Sequence, residues 1–152
     1  MEAEGRVSPV QDVRWLQRFQ NFSRAVNLLR QAIAENEVSE LTQLEQEGVI
    51  QRFEYTFELG WKTFKDYLEY SGVRLTEATA RSVIKECATV GIFAAAEIDA
   101  EVYLEMMLAR NALSHTYDFE RFRKIIAKIE TSYLSELEKE YDFFLAKALP
   151  DA

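Results

Sequence analysis

The 152-residue chain has few of the residues that break helices or cross-link a fold: five glycines, two prolines, one cysteine and one histidine. A lone Cys87 excludes an internal disulfide framework. One histidine beside one cysteine excludes the His/Cys ligand sets of structural zinc. So few glycines and prolines over this length point to long helices and few turns. No apolar run approaches the roughly 20 residues that cross a bilayer. The polar start, Met1-Glu-Ala-Glu-Gly-Arg6, lacks the apolar stretch of a secretory signal. Together these absences lead to the expectation of a cytoplasmic protein with no membrane span.

What the chain does have is enough apolar residue, 48%, to bury one core, so a single domain over residues 1–152 is expected, with its core at about residues 8–149. Its net charge of −8 disfavours broad contact with nucleic acid, where phosphate neutralisation dominates affinity. The charge is uneven, however. Arg110, Arg121, Arg123, Lys124 and Lys128 against Asp118 and Glu120 give the stretch from Arg110 to Lys128 a net +3, leaving −11 for the rest. An anion can be drawn locally to a protein that repels it globally.

Apolar residues recur every three or four positions, the helical period, in five segments. The first starts at Ser8, with Pro9 at the first helical position and Gln11 completing a capping box, and carries Trp15, Phe19, Phe22, Val26, Leu29 and Ile33. The second starts at Thr42, with Glu45 in a capping box, and carries Ile50, Phe53, Phe57, Trp61, Phe64 and Leu68 before the Ser71-Gly72 stop. The third runs from Thr76 or Thr79 to about Thr89, before Gly91. The fourth runs from Asp99 to about Leu113, with Ile98, Val102, Met106, Ala109 and Leu113 in register. The fifth starts at Asp118, an N-cap residue, and carries Phe122, Ile126, Ile129, Tyr133, Leu137, Tyr141 and Phe144. No segment alternates like a strand. The fold class is therefore all-α, an antiparallel up-and-down bundle of four to five helices.

One stretch carries side chains suited to chemistry: Arg110-Asn-Ala-Leu-Ser-His-Thr-Tyr117, where the fourth helix gives way to the fifth. His115 is the only side chain whose ordinary pKa lies near neutrality; the plainer reading is a histidine that bonds the last carbonyls of its helix. Arg110 suits phosphate because its planar fork matches two oxygens; the plainer reading is an ion pair with Glu105 or Asp118. Tyr117 offers a hydroxyl for phosphate or for modification, or is simply a turn tyrosine. Beyond it the fifth helix presents free amides that favour an anion, with Arg121 and Lys124 adding charge. On an ideal helix Arg110 and His115 lie about 140° apart. Arg110 must reach round, or the helix must loosen near Ser114, or a second subunit must complete the pair.

Arg110-x4-His115-x-Tyr117 resembles the R-x4-H-x-Y signature of HEPN-domain toxins of the HepT type. The segment Ile50-Gln-Arg-Phe-Glu-Tyr-Thr-Phe-Glu-Leu-Gly-Trp-Lys-Thr-Phe-Lys-Asp-Tyr-Leu68 resembles the second helix of the nucleotidyltransferase substrate-binding branch. Arg81-Ser-Val-Ile-Lys-Glu86, Gly91-Ile92 and the run from Met107 to Asp118 extend the likeness over residues 12–145. The resemblance implies a helical homodimer that pairs with a minimal nucleotidyltransferase encoded nearby. It implies a metal-independent ribonuclease, needing no cofactor, that is silenced when the partner transfers AMP to the signature tyrosine. By it, His115 and Arg110 are catalytic, Tyr117 is the AMP acceptor, and Asn111 and Asp118 support them. Arg121 and Lys124, at the basic start of the fifth helix, are expected to contact phosphate or RNA. A dimer would relieve the spacing between Arg110 and His115. The same resemblance also carries an older reading, a non-catalytic substrate-binding subunit that docks on the nucleotidyltransferase.

Overall fold

The computed structural model describes residues 9–113 and 117–149, with side chains from residue 13 onward. Seven α-helices follow: α1 (Pro9–Ala34), α2 (Gln43–Tyr70), α3 (Ala80–Thr89), α4 (Ile92–Ala96), α5 (Ala100–Ala112), α6 (Phe119–Lys128) and α7 (Leu134–Ala148). A π-helical turn, Ile129–Tyr133, joins α6 to α7 without a break. A single 3₁₀ turn, Val38–Glu40, sits between α1 and α2. Among the described residues there is no strand. The expected cap at Ser8 lies outside them.

Local chemistry sets most helix ends. Thr42 and Glu45 form a reciprocal capping box, with bonds of 2.9 and 3.1 Å. α2 stops where Gly72 takes a left-handed φ of 89°. There the amides of Gly72 and Val73 reach back to the carbonyls of Glu69 and Leu68, a Schellman closure. Of the two possible starts of α3, Thr79 is the cap, its hydroxyl accepting from Ser82 N. α4 is an addition to the five expected helices. It ends with the same closure, yet Glu97, at φ 61°, stands where glycine is usual. That substitution hides the turn from a search for breakers.

The four long rods alternate in direction. Arg18 Nε donates to Asp66 Oδ2 at 3.0 Å and Arg52 Nη1 to the Leu28 carbonyl at 2.6 Å, so α1 and α2 run antiparallel. Phe64 and Phe57 meet Tyr103 while Glu58 meets Arg110, so α5 opposes α2. The Asp99 amide bonds Glu136, and Tyr133 bonds Glu105, so the α6–α7 rod opposes α5. The result is the expected up-down-up-down bundle, with α3 and α4 in the crossover from α2 to α5. The expected apolar stripes are buried, apart from Ile33, Val102, Ala109 and Tyr141, which are half-buried. On α5 the buried face instead centres on Tyr103, Met106 and Met107.

Four rods converge on one polar point inside this core. Tyr103 Oη donates to Glu140 Oε1 at 2.6 Å, and both residues are fully buried. A Cβ at Gly60 would meet Tyr103 Oη at 2.8 Å, Glu140 Oε1 at 2.9 Å and the Phe22 ring at 3.1 Å. Gly60 of α2 therefore makes the space in which α5 and α7 exchange this bond against α1. Burial pushes the Glu140 carboxyl well above its ordinary range, and the Tyr103 bond only partly opposes this. The group is held neutral, because an unpaired buried carboxylate costs far more than a buried acid. Cys87 is buried, and desolvation pushes its thiol well up. It is an inert core residue.

Two outcomes follow from this point. Gly60→Ala gains helix propensity but must displace a buried pair, and should lose about 1–3 kcal/mol in urea unfolding. Glu140 has a folded pKa above its unfolded one, so its contribution is complete at acid pH and is lost as pH rises past the ordinary carboxylate range. Between the two pKa values wild-type stability should fall by up to about 1.4 kcal/mol per pH unit relative to Glu140→Gln. Urea titrations of both proteins across that range measure the difference.

Candidate functional site

α5 is held at its start by Asp99, whose carboxylate accepts from Glu101 N at 2.9 Å and Val102 N at 3.4 Å. Its last turn carries Arg110, half-buried against α2. Arg110 Nη2 donates to Glu58 Oε1 in an ion pair. Lys62 Nζ stands 3.1 Å from the other Glu58 oxygen. Partial burial pushes the Glu58 carboxyl up, but Lys62, Trp61 and Arg110 outweigh it and hold the group below its ordinary range. One turn earlier, Glu54 goes the other way: burial raises its carboxyl against the pull of Arg110. The arginine therefore faces two α2 carboxylates. Neither partner suggested by the sequence holds it. Glu105 instead accepts from Tyr133 Oη at 2.7 Å and lies 3.3 Å from Lys128, and Asp118 is a cap.

Asp118 Oδ1 accepts from Glu120 N at 3.1 Å and Arg121 N at 3.3 Å. The start of α6 is thus supplied with a negative partner from within, so two of the amides expected to favour an external anion are already engaged. Arg121, Arg123 and Lys124 are exposed on α6 and make no ion pair among the described residues. Asn111 is exposed on the outer side of α5. His115, with Ser114 and Thr116, lies outside the described residues, and so does its relation to Arg110.

Tyr117 is 78% exposed, with its ring 5.9 Å from Phe122 at an angle of 60°. It forms one wall of a cleft of about 280 Å³. The floor is apolar, built from the buried Ile50, Leu113 and Phe122. The rim is polar, built from Glu47, Gln51 and Glu54 of α2. The sequence reading missed this wall of α2 and the carboxylates facing Arg110. The signal was present: Glu47, Gln51, Glu54 and Glu58 recur at helical spacing beside the aromatic stripe.

These features define a class, an all-helical bundle whose polar site is built where its third long rod turns into its fourth. The family model described as nucleotidyltransferase substrate binding protein like matches residues 17–145, and the chain belongs to that family, the HepT-like one. No curated protein matches the chain.

Asp118→Ala should cost about 1 kcal/mol of stability, the ordinary worth of an N-cap. Denaturant unfolding checks this, and an unchanged midpoint would show that the cap carries no weight in α6.

Proposed function

We propose that the chain is the HepT-like member of a two-protein system, a metal-independent ribonuclease toxin silenced when a minimal nucleotidyltransferase adenylylates Tyr117. The observation that carries the reading is the exposure of Tyr117, the most open large aromatic beside the site, at the mouth of a cleft. Its hydroxyl oxygen would attack the α-phosphorus of ATP, giving its proton to a base of the partner. The new Oη–P bond forms as the bond to the pyrophosphate leaving group breaks. In RNA cleavage, His115 would help activate the ribose 2′-hydroxyl or protonate the leaving oxygen, and Arg110 would stabilise charge at phosphorus. Arg121 and Lys124 would meet the RNA backbone, Asn111 and Asp118 would orient the junction, and a homodimer would bring Arg110 and His115 of two chains together. A phosphodiester on Tyr117 places negative charge at the start of α6, beside the cations that RNA would use.

The Arg110–Glu58 ion pair favours a second reading, a non-catalytic subunit that docks on the nucleotidyltransferase, because an arginine held by a carboxylate is not free for phosphate. The acidic chain would then complement a basic partner.

Purified without its partner, the wild-type chain should cleave RNA and His115→Ala should not. Equal cleavage by both, or none by either, rejects the ribonuclease. After co-expression with the nucleotidyltransferase, mass spectrometry should find AMP on wild type and none on Tyr117→Phe. Binding of the partner without any AMP on Tyr117 would favour the docking subunit.

A further inference from the structure

The cleft beside Tyr117 has a chemistry that neither RNA cleavage nor AMP transfer explains. Its rim is rich in acceptors, from Glu47, Glu54 and the amide oxygen of Gln51. Carboxylates repel phosphate, but they accept from the hydroxyls of a ribose and from an exocyclic amine, as acidic residues do in dinucleotide sites. The floor of Ile50, Leu113 and Phe122 offers an apolar surface, with the Phe122 and Tyr117 rings 5.9 Å apart and tilted by 60° among its lining. About 280 Å³ falls just below the roughly 300–1,000 Å³ usual for small-ligand sites. That is room for one nucleoside and not for a stretch of RNA.

We infer that this cleft is a seat for the adenosine of the AMP group carried on Tyr117, so that the modified chain holds its own adduct folded back against α2. The inference rests on Tyr117 being the AMP acceptor, and it adds a binding site to that reading. The tether makes the seat effective. A nucleoside attached through a short phosphodiester to a wall of the cleft is present at an effective concentration in the millimolar range. A cleft with an affinity of about 0.1 mM for free adenosine is then occupied about nine-tenths of the time. The phosphodiester itself stays at the Tyr117 hydroxyl, while the uncharged base and sugar take the acidic rim. Seating shields the new bond from hydrolysis and covers Glu54, the α2 carboxylate of the rim on which Arg110 acts.

The test compares the adenylylated wild type with adenylylated Gln51→Trp. Gln51 is an exposed rim residue of α2, so an indole there fills the cleft without entering the core. Snake-venom phosphodiesterase should release AMP from wild type about ten-fold more slowly than from Gln51→Trp, the factor for roughly 1.4 kcal/mol of seating. Equal release rates overturn the inference while leaving Tyr117 as the acceptor. If neither protein carries AMP, the acceptor reading itself has failed. Methyl NMR of the unmodified chain with adenosine, up to about 10 mM, then decides the cleft alone. Saturable shifts at Ile50 and Leu113 that vanish in Gln51→Trp support a nucleoside seat, and their absence in wild type overturns it.

Discussion

One buried hydrogen bond, from Tyr103 to Glu140 across the bare face of Gly60, sets the distances between the rods of the bundle. There α5 and α7 touch through polar atoms over the bare face of α2, with Phe22 of α1 closing the fourth side. Around it the aromatic core is dense: Phe144 alone lies 5.0–5.9 Å from the rings of Trp15, Phe19, Phe64 and Tyr67. Apolar contacts of this kind supply most of the stabilisation but tolerate sliding. A carboxylic acid that must find one hydroxyl does not. With Tyr103 pinned, the far end of α5 arrives beside α2, and Arg110 meets Glu58.

The site therefore inherits its geometry from the core, and its charge is partitioned between two surfaces. On the α2 side, Arg110 and Lys62 are paired with Glu58, and the rim of Glu47, Gln51 and Glu54 beyond them is acidic and rich in acceptors. On the α6 side, Arg121, Arg123 and Lys124 are left outward. Tyr117 lines the acceptor-rich cleft and lies two residues before the start of α6 in the chain.

Features whose cause is local in the chain were readable from the residues. The Thr42–Glu45 box, the Ser71-Gly72 stop and the cap at Asp118 each act over five residues or fewer, and the aromatic stripes need only the helical period. Features whose partner is distant were not. Glu140 reads as a surface residue one position from the apolar Tyr141, until Tyr103, 37 residues away, offers it a hydroxyl. Arg110 reads as free or paired nearby, yet its carboxylate lies 52 residues back. α4 was missed for another reason: Glu97 adopts the left-handed backbone that a reader assigns to glycine.

The π turn between α6 and α7 gives the last rod a property that substitution would not reveal. Such a turn is an α-helix with one residue too many, and the Leu134 amide there reaches the Ile129 carbonyl, five residues back. Removing one residue from Ile129–Tyr133 would let the rod close into plain α-helix with the phase of α7 kept, because the widened turn is what absorbs the extra residue. Glu140 and Phe144 would still face Tyr103 and Phe64. Adding a further residue without widening another turn would instead rotate everything after it by about 100°. The segment thus works as slack in the rod: it can give up one residue without an error of phase, but it cannot take on another at no cost.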